Sequence, residues 1–125
     1  MENELISNKL VVEDFLKRGN ISGDSAGLAL VLASMASEGK IDNKVKIAVT
    51  GAISRSGKVK EVGAIKEKLM IAVENGFLYI VIPEENFADA SRIKEKYDLN
   101  IKIIGVEDVE EAVMAIETIN NGVAN

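Results

Sequence analysis

The sequence predicts an α/β (α+β) domain with helices packed on a small mixed sheet. Three observations carry this. Short apolar runs at 45–49, 77–82 and 101–104 alternate with longer segments whose apolar residues recur at helical spacing. Gly39, Gly76 and Pro83 fall at the boundaries of those segments, where chain-breaking residues belong. With 125 residues, 47% of them hydrophobic, the chain is long enough to bury roughly two thirds of its surface as one compact domain spanning residues 1–125.

Taken in order, residues 5–16 carry Leu5, Ile6, Leu10, Val11, Val12, Phe15 and Leu16 between polar pairs, a pattern open to strand or short helix. Residues 17–20 read as a turn. A strongly apolar segment at 26–36 predicts a buried helix ending at Glu38-Gly39, with glycine suited to the position after a helix. A short strand follows at 45–49. Ile53 and the run 58–62 flank Arg55-Ser56-Gly57, which predicts a hairpin. The next helix covers 64–75 and is closed by Gly76. Residues 77–82 are nearly continuous in apolar side chains and stop at Pro83, as a central buried strand does. An amphipathic helix over 86–97 turns Phe87, Ala90 and Ile93 inward. After a strand at 101–104, Val109, Ala112, Val113, Ile116 and Ile119 form the inner face of the last helix, with Glu107 and Asp108 at its positive end. Residues 120–125 are expected to fray.

Composition excludes several functions. The chain has 15 basic and 20 acidic residues, a net charge of −5, and 4% aromatic residues, so the basic stripe with stacking aromatics used for nucleic acid is missing. It contains no cysteine and no histidine, which removes thiol nucleophiles, cysteine–histidine zinc sites and Ser-His catalysis. No apolar run reaches membrane-spanning length, and the acidic start Met1-Glu2-Asn3-Glu4 is unlike a signal peptide. A cytoplasmic location is expected. Asn20-Ile21-Ser22 is a formal glycosylation sequon and carries no weight by itself.

The stretch Ser22-Gly23-Asp24-Ser25-Ala26-Gly27 places a serine at the mouth of the first helix. A helix N-terminus presents unpaired N–H groups and a positive dipole end, the surroundings an oxyanion needs beside a nucleophile. Asp24 can cap the helix, and Gly23 and Gly27 permit close backbone approach. An ordinary N-cap followed by a core helix fits the same composition. A serine also needs a base, and without histidine a lysine must serve, which requires burial that lowers its pKa. On the 64–75 helix the apolar stripe centres on Ile65, Leu69 and Ala72, with Lys68 on one flank and Lys66 on the other. Periodicity does not choose between them.

Gly23-Asp24-Ser25-Ala26-Gly27, Val49-Thr50-Gly51, Gly57-Lys58-Val59, Val62-Gly63-Ala64-Ile65-Lys66-Glu67-Lys68-Leu69 and Ile82-Pro83-Glu84-Glu85-Asn86 follow one another in a particular order. That order resembles the proteolytic domain of Lon-type ATP-dependent proteases, without a gap from Ser25 to Lys68 and over residues from about Gly19 to the last helix. The resemblance implies that Ser25 is the nucleophile and Lys68 the general base of a Ser-Lys dyad. It further implies that Thr50 supports Lys68; with Ser25 as nucleophile, the adjacent Asp24 carboxylate would influence the site and backbone N–H groups from Gly23 to Ala26 would hold the oxyanion. The implied function is a serine endopeptidase acting on unfolded or flexible polypeptide, within a ring-forming homo-oligomer, a hexamer in the family's pattern. No cofactor is implied for this chain; ATP enters only through a separate ATPase module, a possible partner. A non-catalytic oligomerisation module with the same fold is the alternative from a different class.

The chain departs from the family pattern at Ala64, where a second glycine is usual, at Glu61, where proline is usual, and at Ala52, a position often acidic. The family's domain also carries strands before the serine word, and the 24 residues that precede Ser25 leave open whether they are present here. The segment Gly51 to Val59 superficially resembles a phosphate-binding loop, but five residues separate its glycines where four are required, and Val59 replaces the magnesium-binding Ser or Thr. Glu13-Asp14, Glu84-Glu85 and Glu110-Glu111 read as solvated surface.

Overall fold

In the computed structural model the described residues are 27–39, 47–54 and 56–124. They form α1 (Gly27–Ser37), β1 (Ile47–Val49), β2 (Ala52–Ile53), β3 (Val59–Lys60), α2 (Ile65–Glu74), β4 (Tyr79–Pro83), a 3-10 turn (Glu84–Asn86), α3 (Phe87–Tyr97), β5 (Lys102–Val106) and α4 (Val109–Ala124). The elements expected at 5–20 lie outside the described residues.

Parallel and antiparallel pairings both occur, in separate pieces. One sheet has the order β1-β4-β5, and both of its pairings are parallel; β2 and β3 pair antiparallel as the hairpin. Strand alternation explains the layering, because successive side chains point to opposite faces. Val81 and Val106, with the half-buried Ile47, Val49 and Ile104, meet α1 and α4 on one face. On the other, Ile80 and Ile82, with Ala48 and Ile103, meet α2 and α3. Both faces are covered, which is why β4 reads as an unbroken apolar run.

Each helix follows from its pattern, with three differences from the sequence expectation. In α1 the buried residues Leu28, Val31, Leu32 and Met35 keep i, i+3, i+4, i+7 spacing, so one stripe is buried rather than the whole helix, and Leu30 is 51% exposed. Phe87 is 37% exposed rather than turned inward, with its ring edge against Gly105 of β5. The last helix runs to Ala124, and Asn120, which the sequence reads as part of the tail, is buried in line with Val109, Ala112, Val113 and Ile116. Its start is well determined: Asp108 Oδ1 accepts from the Glu111 N–H at 2.9 Å, and Glu111 Oε1 accepts from the Glu107 N–H at 2.8 Å. These bonds occupy donors that a helix start leaves unpaired.

The hairpin braces this end of the molecule. Val59 N–H donates to the Glu107 carbonyl and Val109 N–H to the Gly57 carbonyl. Lys58 is exposed there, in a bridge opposite Asp108, so the segment that superficially resembles a phosphate loop is a structural hairpin, as the spacing indicates. Among the described residues no helix is long and apolar enough to cross a membrane.

Candidate active site

Three chain segments converge at the C-terminal edge of the parallel sheet. The first is the end of β1. Thr50 N–H donates to the Val81 carbonyl at 3.0 Å, extending the ladder by one step, and Thr50 is buried. Alternation puts it on the side of Ala48, the face covered by α2.

The second segment is the start of α1. Leu28 N–H donates to the Gly51 carbonyl at 3.0 Å, so one of the helix's unpaired donors is spent on the residue that follows Thr50. Gly51 suits that approach: a Cβ there would stand 3.0 Å from Val59 Cγ1 and 3.1 Å from Leu28 Cδ2, closer than ordinary van der Waals contact. Ser25 is three residues before Leu28 in the chain. Ser25, Asp24, Gly23 and Ala26 themselves lie outside the described residues.

The third segment is the start of α2. Asn86, just beyond the end of β4, holds Val62 by both backbone groups: Oδ1 accepts from the Val62 N–H at 2.9 Å and Nδ2 donates to the Val62 carbonyl at 3.0 Å. This ties the segment before α2 to the end of β4, the strand whose Val81 carbonyl receives the Thr50 N–H. Lys68, half-buried in that turn, donates from Nζ to the Gly63 carbonyl at 3.1 Å. Leu69 and Ile65 beside it are buried against Ile80 and Ile82.

The two lysines that periodicity leaves equivalent are separated by the fold. Lys66 is exposed on the opposite flank, with Nζ 4.7 Å from the centre of the Tyr97 ring. It borders an open groove of about 530 Å³ between α2 and α3, with Glu67, Asp89, Arg92 and Lys96, in which Arg92 pairs with Asp89. A hydrogen bond with Tyr97 raises the pKa of Lys66 above its ordinary value, and the same bond lowers that of Tyr97. A lysine held charged in this way is a poor proton acceptor.

Comparison with known proteins identifies the family. Residues 17–118 match the family model of the Lon protease (S16) C-terminal proteolytic domain. The chain belongs to that family. It is 36% identical to the Lon protease of Trichlorobacter lovleyi over 96 residues, which is 76% of this chain and 12% of the relative. It is 41% identical to the Lon protease of Amoebophilus asiaticus over 93 residues, 73% of this chain and 11% of the relative. For the Lon protease of Haemophilus influenzae the figures are 35% over 102 residues, 81% and 13%. The chain thus spans about an eighth of the length of these curated relatives.

One departure from the Lon pattern now has a physical meaning. Ala64, where the family's second glycine is usual, is the N-cap of α2 and adopts left-handed geometry, φ 55° and ψ 37°. That conformation costs a non-glycine residue roughly 1–2 kcal/mol, while the greater unfolded-state freedom of glycine returns about 0.4–1 kcal/mol. Relief of strain is the larger effect. Ala64→Gly is therefore expected to stabilise the domain by about 0.5–1 kcal/mol in urea denaturation, with the slope unchanged; a destabilised variant would show that the turn does not carry this strain.

The sequence alone assigns no role to Asn86 or Gly51. For Asn86 the available signal is its place at the end of Ile82-Pro83-Glu84-Glu85-Asn86, one of the words shared with the family, together with an amide that is buried. For Gly51 it is the word Val49-Thr50-Gly51.

Proposed function

We propose that this chain is a serine endopeptidase domain that cleaves unfolded or flexible polypeptide with Ser25 as nucleophile and Lys68 as general base. The observation that carries the reading is the site of Lys68: half-buried, hung on the Gly63 carbonyl, at the sheet edge to which the start of α1 is tied by Gly51. Lon family membership supports the same assignment, since Ser25 and Lys68 occupy the family's serine and lysine words.

In this reading neutral Lys68 Nζ takes the proton of Ser25 Oγ as the oxygen attacks a peptide carbonyl. The donor bond to the Gly63 carbonyl uses one N–H of the amine and leaves its lone pair available for that proton. Backbone N–H groups around Gly23 and Ala26, at the positive end of α1, hold the oxyanion. Protonated Lys68 then returns the proton to the leaving amine, and a water deprotonated by Lys68 hydrolyses the acyl-enzyme. Buried Thr50 orients Lys68 from the end of β1, and the Asp24 carboxylate shapes the field beside Ser25. Cytoplasmic location, assembly into a homo-oligomeric ring and cooperation with an ATPase module belong to the same proposal; the chain itself supplies no cofactor.

The test is turnover of an unstructured fluorogenic polypeptide by the purified chain, with Ser25→Ala as the control. Cleavage that disappears in Ser25→Ala supports the peptidase. Cleavage that persists in Ser25→Ala, or no cleavage by a folded chain, favours the oligomerisation module.

A further inference from the structure

The word Ile82-Pro83-Glu84-Glu85-Asn86 has no place in the mechanism above, yet it ends in a polar side chain that is only 5% exposed. A buried amide must have its donors and acceptor satisfied, and a buried backbone N–H and carbonyl in a loop need partners as well. Asn86 and Val62 meet both demands together, pairing side-chain amide with backbone in the manner of two strands, across 24 positions of sequence. Val62 is followed by Gly63, whose carbonyl receives Lys68 Nζ, and by Ala64, whose left-handed turn starts α2. Gly63 has no side chain to anchor it, and its Cβ position faces open space. The orientation of its carbonyl is therefore set by its neighbours, through the Val62 clamp on one side and the helix start on the other.

We propose that Asn86 is a positioning residue for Lys68: by clamping Val62 through both backbone groups it fixes the Gly63 carbonyl that holds the lysine amine. The consequence for catalysis rests on the Ser-Lys reading; the consequence for the pose of Lys68 does not. Truncating Asn86 frees the loop, lets the Gly63 carbonyl rotate, and leaves Lys68 without a defined orientation.

The experiment compares the full chain with Asn86→Ala, Asn86→Asp and Val113→Ala, the last a core truncation on the opposite face of the sheet that controls for loss of stability. A small serine-directed acylating probe is titrated against each, and the maximal acylation rate is separated from the half-saturating probe concentration. For Asn86→Ala the maximal rate is expected to fall about 10- to 100-fold, the scale of a small misplacement of a catalytic group, with half-saturation unchanged. Asn86→Asp, which keeps the acceptor for the Val62 N–H and loses the donor to its carbonyl, should lie between. Val113→Ala should retain the wild-type rate. In parallel, the Cε and Nζ resonances of Lys68 are followed by NMR, and these should move in the Asn86 variants and stay in Val113→Ala.

Unchanged acylation and unchanged Lys68 resonances in the Asn86 variants overturn the proposal, as does an equal loss in Val113→Ala. If Asn86→Ala does not fold, Asn86→Asp decides on the same criteria. Wild-type protein that shows no Lys68-dependent acylation overturns the Ser-Lys reading instead, and the NMR comparison then still decides whether Asn86 sets the lysine.

Discussion

Lys68→Ala is expected to slow acylation of Ser25 by a serine-directed probe by about 10²–10⁴-fold, the usual contribution of a general base, whereas Lys66→Ala leaves it nearly unchanged. The asymmetry follows from environment. Both lysines stand in the first turn of one helix, two residues apart, and both flank its buried stripe. Lys68 is half-buried with Nζ on the Gly63 carbonyl. Lys66 is exposed against the Tyr97 ring, and the Tyr97 hydrogen bond raises its pKa, favouring the charged form that cannot accept a proton. Equal losses in the two variants, or a larger loss for Lys66→Ala, would show the base to be misassigned. Because Lys66→Ala removes only exposed contacts, its fold serves as an internal reference.

Leu69→Ala is expected to cost about 2–5 kcal/mol, a large part of the 5–15 kcal/mol that holds a typical domain together. Leu69 is fully buried, among Ile65, Ala72, Ile80 and Ile82, where α2 meets the sheet. Truncation removes the transfer energy of the deleted groups and leaves a cavity that packed β-branched neighbours fill poorly. Ile71, two residues later on the same helix, is 57% exposed, and Ile71→Ala should fall within about 1 kcal/mol of wild type. Urea midpoints of the two variants provide the measurement. Similar shifts would mean that α2 presents a different face to the sheet. The same pair bears on chemistry, since loosening Leu69 disturbs the turn that carries Lys68 and loosening Ile71 does not.

How far the fold can be read from sequence varies with the distance over which each feature is decided. The ends of α2 were visible because Gly76, with φ 79°, supplies the left-handed residue that closes a helix. β4 was visible because a strand buried on both faces has no polar alternation, and Pro83 ends it. The hairpin was visible from a glycine turn between two apolar segments. Phe87 differs because spacing places it on the apolar stripe of α3 but does not say how much of the ring its neighbours cover. Asn120 escaped notice for a similar reason: a lone asparagine near a terminus reads as fraying, and only its neighbours in the folded domain show it to be buried.

For the site, the identity of the candidate groups was legible and their geometry was not. The absence of histidine and cysteine left a lysine as the available base for a serine, and the order of the shared words selected Ser25 and Lys68. That much is carried by residue types and by register along the chain, which a linear sequence records directly. The exposure of Lys66 against Tyr97, the approach of Leu28 to Gly51 and the clamp of Asn86 on Val62 depend on contacts between segments more than 20 positions apart. Local periodicity extends over a few helical turns or strand residues, so it can assign a side chain to a face of its own element. Which neighbour that face meets is decided only when the parallel sheet forms and brings the ends of β1, α1 and α2 to a single edge.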